Sequence, residues 1–332
     1  MSHALLRDAL LVTGSLNAKE DDRTLDRSQI HPVQLVTTAG AQPLSYFDEI
    51  GDLGVSALAL RPGSLRLFYT EGTDLFELDL ATGTRTPHPI PRLRDVHEIE
   101  FIGDTLWLSN TGYDEAVGYH PNTGATQREQ LRRTEPHADP VIEELAAGQS
   151  DVSTIDRFHC NQVFEGYDGH RYALVHHVSG LQLVRRIAQK LIKSQGNGGV
   201  INLDTGEPHS LRLKAPHSVR RVAGHYWVFS SGHAKIHIYD NAWTLQHQLD
   251  GRGWGRGASL SLDTTLFYAG VSAPRKRYKD LLGWGQASAN LVEVFDVSTR
   301  RSIGEVHLDH IEQVNNVYTL TPQQAEAVHQ LT

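Results

Sequence analysis

One short string recurs along this chain and constrains its fold more than any other feature. Asp95–Phe101 reads Asp-Val-His-Glu-Ile-Glu-Phe, and related strings occur at Arg157–Phe164, Ala215–Val222 and Gly253–Leu260. Each string opens a series of short apolar runs that are separated by turns rich in glycine, aspartate and serine. Such runs, with alternating apolar and polar residues, are typical of antiparallel β-meanders. The chain is therefore predicted to consist of repeated meanders.

The spacing of the meanders is typical of β-propeller blades. The unit that starts at Val55 has Leu65–Tyr69 and Leu75–Leu80 as its second and third strands and Arg85–Ile90 as its fourth. Starts of this kind recur about every 40 residues plus insertions, as propeller blades do. We predict an all-β, six-bladed β-propeller whose innermost strands begin near residues 55, 97, 159, 217, 256 and 313.

The two ends of the chain are predicted to form the sixth blade together. Gln313–Leu320 has the pattern of an innermost strand with no strand after it, whereas Ala9–Ser15 and Val33–Thr38 lack an innermost partner. Pairing these segments closes the ring with strands from both termini and removes an exposed sheet edge. Residues 1–332 are thus expected to form a single propeller domain.

Three insertions interrupt the repeat, and all are expected on one face of the propeller. In a four-stranded meander, the connection into the first strand and the connection between strands two and three emerge on the same face. We expect short helices or loops there, at residues 132–151, 185–198 and 274–289.

Composition and charge exclude several classes of function. The chain has 39 acidic against 31 basic side chains and no long basic run, which argues against a nucleic-acid partner. No apolar stretch approaches the roughly 20 residues that span a bilayer, and no signal-peptide pattern opens the chain. A single cysteine excludes an intramolecular disulfide bond. We expect a cytoplasmic protein without a membrane partner.

Aligned on their apolar positions, the recurring strings place His97, His159, His217 and Arg256 in one register. The first strands of all blades line the central channel, so residues far apart in sequence can meet at its mouth. Imidazole nitrogens bind borderline divalent cations, and three of them leave coordination positions open. We predict that the three histidines bind a divalent metal ion, zinc or iron.

Other polar residues near this register are candidates for catalysis and substrate binding. Arg256 and Arg220 are expected to orient a carboxylate or phosphate of a small-molecule substrate. Tyr113 is a candidate general acid or base, and Glu98 is either a carboxylate that supports a ligand histidine or a partner between blades. The remaining candidates for substrate contact are Asn110, Asn161, His177, His233, Gln313 and Asn315.

Several functions remain open at this stage. A metal ion at the channel mouth would serve a lyase or hydrolase that acts on a small polar or anionic substrate. Iron on three histidines would also suit an oxygenase. An enzyme without metal would use histidine as general base and arginine as anion clamp. A non-catalytic propeller would instead bind a peptide or protein partner through an exposed patch at Leu281, Leu282 and Trp284.

Five strings in the chain carry a resemblance to known proteins: His159-Cys-Asn-Gln-Val, Pro216-His-Ser-Val-Arg, Gly253-Trp-Gly-Arg-Gly, Tyr268-Ala-Gly-Val-Ser-Ala-Pro-Arg and Leu108-Ser-Asn-Thr-Gly-Tyr-Asp. They resemble the signature strings of a poorly characterised group of bacterial six-bladed propeller proteins, over residues 50–320. The resemblance implies the propeller architecture and says little about a reaction.

The histidine register itself is similar, more distantly, to the site of the metal-dependent propeller lyase that cleaves peptidyl-α-hydroxyglycine. That likeness implies a catalytic zinc ion on the three register histidines. It also implies that Tyr113 and either Arg220 or Arg256 lie close to the metal. Only the architecture of the site is carried over by this likeness.

Overall fold

A computed structural model describes residues 5–17, 23–51, 54–131, 156–179, 196–273 and 290–331. Within these ranges, 24 strands form six antiparallel sheets of four strands, each of which is one blade of a six-bladed β-propeller. The predicted fold class is confirmed. Over the same ranges, no helix is long and apolar enough to span a membrane. The predicted insertions lie outside the described residues apart from residues 196–198, and so do Leu281, Leu282 and Trp284.

The strands follow one another from the channel outward in blades one to five. Three strands near the N-terminus belong to blade six: β1 (Ala9–Ser15), β2 (Val33–Thr37) and β3 (Gly40–Pro43). Blade one contains β4 (Val55–Leu60), β5 (Arg66–Glu71), β6 (Asp74–Asp79) and β7 (Thr84–His88). Blade two contains β8 (Val96–Ile102), β9 (Thr105–Asn110), β10 (Glu115–His120) and β11 (Ala125–Gln130).

Blades three to five repeat this arrangement. Blade three contains β12 (Cys160–Glu165), β13 (Arg171–Val175), β14 (Gly198–Asn202) and β15 (Pro208–Leu213). Blade four contains β16 (Pro216–Val222), β17 (His225–Ser230), β18 (Lys235–Tyr239) and β19 (Leu245–Asp250). Blade five contains β20 (Trp254–Leu260), β21 (Leu266–Ser272), β22 (Leu291–Asp296) and β23 (Arg301–His307).

Strands from both ends of the chain close the ring, as predicted. The innermost strand of blade six is β24 (Gln313–Leu320), and it pairs with β1 in the sheet order β24-β1-β2-β3. A helix, α1 (Pro322–His329), follows and packs Val328 into the core. This helix was not predicted, although Thr321 and Gln324 form the capping box that marks a helix start.

The hydrophobic core is divided into six clusters, each between two neighbouring blades. The inner strands supply most of these side chains, and their alternation made them visible in the sequence. The outermost strands are polar and mostly exposed, as in Leu245–Asp250, because they have only one neighbouring strand. For that reason β3, β15, β19 and β23 were not predicted.

A β-bulge lies near the start of each innermost strand in blades one to five. A bulge adds one residue to a strand, bends it and redirects its side chains. The bulged positions bring backbone and side chains of different blades into contact, as where Ser218 Oγ accepts a hydrogen bond from Gly257 N at 2.9 Å. The register shifts lie at Val55/Leu58, Val96/Ile99, Cys160/Gln162, His217/Val219 and Gly255/Ala258.

Candidate functional site

Four imidazole rings from blades two, three and four meet at the channel mouth. The ring centroid of His97 lies 5.0 Å from that of His159 and 6.3 Å from that of His217. His176, at the end of β13, lies 4.2 Å from His159 and 5.5 Å from His217. We call these four residues the mouth histidines. His176 was not among the predicted site residues, although second strands were expected to end on this face.

His97 is held by the fourth member of the predicted register. Arg256 Nη2 lies 3.3 Å from His97 Nδ1. A guanidinium only donates hydrogen bonds, so Nδ1 is the acceptor and the proton of the neutral ring is on Nε2. His97 Nε2 lies 3.4 Å from Asp95 Oδ2. Burial lowers the pKa of His97, while the charge of His97 is the main reason that the pKa of Asp95 is below its usual range.

His159 is the mouth histidine whose pKa is raised. Its Nδ1 lies 2.9 Å from Asp156 Oδ2. Burial alone would lower the pKa of His159, but the hydrogen bond and charge of Asp156, together with the negative charges of Asp95 and Asp114, outweigh burial. The ring of His159 therefore favours the imidazolium form more than a free histidine does.

A buried carboxylate anchors the backbone that carries His159. Asp114 is 2% exposed, and its two oxygens accept hydrogen bonds from the backbone N–H groups of Arg157 (2.6 Å), Phe158 (3.1 Å) and His159 (3.1 Å). Burial raises the pKa of Asp114 to about 7. His159 itself has a left-handed backbone with φ of 56°, a conformation that needs such support.

His217 and His176 favour the neutral form, in contrast to His159. His217 Nδ1 lies 3.0 Å from Ala215 O and 3.0 Å from Ser231 Oγ, so Nδ1 carries the proton and Nε2 has the lone pair. Burial lowers the pKa of His217 well below its ordinary value, and the charge of Arg256 adds to this. Burial has the same effect on His176, whose buried Nε2 has no hydrogen-bond partner within the described residues.

Glu98 and Arg220 form an ion pair between blades two and four. Glu98 is 4% exposed, and its Oε2 lies 3.3 Å from both Nη1 and Nη2 of Arg220. Ser218 Oγ donates to the other oxygen of Glu98, and Arg220 Nε donates to Ala258 O at 2.6 Å. Glu98 and Arg220, both predicted to be catalytic, thus bind each other and residues of neighbouring blades.

Asn110 and Tyr113 lie at the end of β9, and their contacts are local. The amide of Asn110 accepts from Arg94 N at 2.7 Å and donates to Arg92 O at 2.9 Å and Glu115 Oε1 at 2.7 Å. The ring of Tyr113 lies 5.1 Å from Arg92 Cζ. Among the described residues, neither side chain makes a hydrogen bond or ring contact with a mouth histidine.

The other predicted substrate-binding residues fall into two groups. Three amides tie neighbouring segments together: Asn161 to Pro216 O, Gln313 to Asn17 Oδ1 and Asn315 to Val55 O. The two histidines differ in position, since the ring of His177 lies 6.2 Å from that of His176, whereas His233 lines a separate cavity in blade four. Of these five residues, His177 lies beside the mouth histidines.

The described residues contain no group of three or more His, Cys, Asp or Glu side chains that is arranged to hold a metal ion. His159 and His217 have Nε2 available on rings that are fixed through Nδ1. His97 is different, because Arg256 donates to its Nδ1. The divalent cation therefore stays a prediction.

Comparison with known proteins supports the fold and no closer relationship. No protein-family model matches the chain, and no curated protein matches it in sequence. Among solved structures, a chain of a nidogen/laminin complex covers 93% of this chain and 97% of its own length, with 12% identity and a TM-score of 0.53. A putative 6-phosphogluconolactonase from Bacteroides fragilis covers 95% of this chain and 98% of its own length, with 11% identity and a TM-score of 0.53.

A virginiamycin B lyase from Staphylococcus aureus covers 76% of this chain and 70% of its own, with 12% identity and a TM-score of 0.48. Identities this low establish the propeller fold alone. The chain is thus a six-bladed β-propeller, and its structural neighbours include enzymes. The fold is compatible with an enzyme and does not specify the reaction.

Proposed function

We propose that this propeller is an enzyme that binds a small anionic substrate at the channel mouth and transfers protons through the mouth histidines, in a lyase- or hydrolase-type reaction. The observation that carries the proposal is the meeting of four imidazole rings at the channel mouth, where the pKa values of neighbouring rings are shifted in opposite directions. The pKa of His159 is raised, whereas those of His176 and His217 are lowered. Titratable neighbours whose pKa values are pushed apart are typical of acid and base partners in catalysis.

Arg256 supplies the anion-binding group in this proposal. A guanidinium has five N–H donors in a planar fork that matches a carboxylate or a phosphate. One of these donors contacts His97, and the charge of Arg256 also acts on His217, so the cation lies among the mouth histidines. Arg220 is the weaker candidate for this role because it is paired with Glu98.

The proposed proton transfers use one base and one acid. His217 Nε2, oriented by the hydrogen bond from Nδ1 to Ala215 O, accepts a proton from a carbon next to the substrate carboxylate. Arg256 stabilises the negative charge that develops on that carboxylate. The His159 imidazolium, held by Asp156, protonates the leaving group as its bond to the substrate breaks. In a hydrolysis, His217 would take the proton from the attacking water instead.

A second candidate function retains the predicted zinc or iron ion. His159 and His217 both donate from Nδ1 to an oxygen, which is the arrangement that usually orients a metal-binding imidazole through Nε2. A bound cation would act as a Lewis acid or activate water. His97 does not fit as the third ligand in its present orientation, so we route no step through a metal. The oxygenase alternative and the peptidyl-α-hydroxyglycine lyase likeness both depend on this cation.

Proton NMR in D₂O with a panel of β-substituted small carboxylates would test the proposed elimination. We expect loss of the α-proton signal and appearance of vinyl protons for at least one member of the panel. The rate should fall by about a hundredfold or more in His217→Gln and in Arg256→Gln. His247→Gln, which changes an exposed histidine of blade four, serves as the control. Turnover that survives both mouth substitutions would rule out the assigned roles.

A further inference from the structure

A second cavity lies between the outer strands of blades three and four, and no mouth histidine lines it. Its volume is about 510 Å³. One wall comes from β15, and the rest comes from β18, β19, the turn between them and His233 in the turn before β18. We call this cavity the blade groove and define it by Arg212, Lys235, His237, Tyr239, Trp243 and Gln248.

His237 lines the blade groove and has an unsatisfied hydrogen-bond acceptor. The hydroxyl of Tyr239 donates to Leu211 O at 3.3 Å, so its oxygen accepts from His237 Nδ1 at 3.1 Å. The proton of His237 is then on Nδ1, and Nε2 has a lone pair. His237 is 6% exposed, and its Nε2 is buried without a hydrogen-bond partner within the described residues. A buried acceptor of this kind is stabilised when a ligand or a water molecule supplies a donor.

Neutral histidine is the form that such a site requires. Burial lowers the pKa of His237 to about 4, and the positive charges of His233 and Lys235 contribute to the shift. At neutral pH, His237 is therefore neutral, and its Nε2 can accept a hydrogen bond.

The charged side chains of the blade groove are cationic. Arg212 and Lys235 line it, and none of its lining residues, all of which are described, is an aspartate or glutamate. Lys235 Nζ lies 2.6 Å from Asp250 Oδ1, but the Asp250 side chain is 89% exposed. Exposed ion pairs of this kind are weak and exchange partners readily. The two cations can thus share an anionic group of a ligand.

A rigid apolar wall completes the blade groove. Trp243 stacks on Tyr226 with ring centroids 4.2 Å apart and an interplanar angle of 12°. The indole is therefore fixed in position before any ligand binds. Leu245, which is 43% exposed, extends the apolar surface at the rim. Aromatic walls with a few convergent polar groups are typical of small-molecule sites.

We propose that the blade groove binds a small hydroxylated anion, a sugar phosphate or a sugar acid. Its phosphate or carboxylate pairs with Arg212 and Lys235, one hydroxyl donates to His237 Nε2, and its carbon-bound face packs against Trp243. This site is separate from the proposed active site, because the channel mouth is formed by other residues.

Isothermal titration calorimetry of the whole chain with D-glucose 6-phosphate, D-gluconate, D-glucose and inorganic phosphate would test the site. We expect one of the two hydroxylated anions to bind with a Kd below about 1 mM, at least tenfold tighter than glucose or phosphate. Tighter binding of glucose 6-phosphate would indicate a phosphate site, and tighter binding of gluconate would indicate a carboxylate site. In histidine-selective ¹⁵N NMR, the Nε2 signal of His237 should shift on binding.

Variants of residues inside and outside the blade groove would show whether the ligand binds there. Arg212→Gln changes an exposed side chain and should weaken binding about tenfold or more while leaving the fold intact, and His237→Phe should do the same. His247→Phe, on β19 but outside the groove lining, and Arg256→Gln should bind as the unaltered chain does. The proposal is overturned by no binding, by equal binding of inorganic phosphate, or by binding that Arg256→Gln abolishes and Arg212→Gln does not.

Discussion

Arg256 and His97 are in contact across the propeller channel, although they belong to blades five and two: Nη2 of Arg256 lies 3.3 Å from Nδ1 of His97. This contact places a permanent cation among the mouth histidines. It also fixes the proton of neutral His97 on Nε2, facing Asp95. The charge state and tautomer of the mouth histidines therefore depend on a residue from another blade.

Removal of this cation should raise the pKa of the histidines around it. Burial is the main cause of the low pKa of His217, and the positive charge of Arg256 is the next. In Arg256→Gln we expect the pKa values of His97 and His217 to rise, measured by histidine-selective NMR titration. Arg252→Gln is the control, because that side chain is 54% exposed. Unchanged values in Arg256→Gln would contradict the electrostatic account.

The carboxylate of Asp156 should raise the pKa of His159, whereas the charge of Arg256 lowers the pKa values of its neighbours. The carboxylate accepts a hydrogen bond from His159 Nδ1 at 2.9 Å and is the largest of the causes that raise the pKa of His159. Asp156→Asn retains a hydrogen-bond acceptor but removes the charge, so the pKa of His159 should fall. The same NMR titration measures this, with the exposed Asp104→Asn as control. If the pKa of His159 stays high without the carboxylate, His159 is not the acid that we assign.

Acid should destabilise the fold through its buried neutral histidines. The pKa of His176 lies well below 6.5 in the folded chain, so below pH 6.5 the unfolded chain binds a proton that the folded chain does not. The contribution of His176 to stability is thus fully present above that pH and is lost as the pH falls. His176→Phe should reduce the loss by up to about 1.4 kcal/mol per pH unit. Urea unfolding between about pH 7.5 and 5.5 measures both slopes, and equal slopes would refute the prediction.

The sequence predicted which positions come together in the fold more successfully than it predicted the contacts of each side chain. Short apolar runs such as Val55–Leu60, separated by turns, indicated the blades, and a shared register brought His97, His159 and His217 to one place. Glu98 and Arg220 are 122 residues apart and paired through strands of different blades, which no local pattern encodes. The amide of Asn110 is likewise engaged by three partners of its own blade.

The ion pair between Glu98 and Arg220 should matter for stability. Arg220→Met leaves the 4% exposed Glu98 without its cation and should reduce the free energy of unfolding by about 3–5 kcal/mol. The double variant Glu98→Gln, Arg220→Met should recover part of that loss, since the buried charge of Glu98 is then removed as well. Arg221→Met breaks an exposed pair with Glu165 and should cost less than about 1 kcal/mol. Urea unfolding compares the three, and equal losses for Arg220→Met and Arg221→Met would refute the buried-pair account.

Metal analysis decides between the two candidate functions at the channel mouth. Because Arg256 engages His97 Nδ1, His97 is not oriented as the third ligand of the predicted set, and the described residues contain no group of three or more His, Cys, Asp or Glu side chains arranged to hold a metal ion. Protein purified without an affinity tag should therefore contain less than about 0.2 equivalents of zinc or iron, unchanged by His159→Ala. A stoichiometric metal that is lost in His159→Ala and His217→Ala, but kept in the exposed-site control His247→Ala, would contradict this expectation. The metal-dependent alternative would then replace the proton-transfer proposal, and His97 would have to turn away from Arg256 to become a ligand.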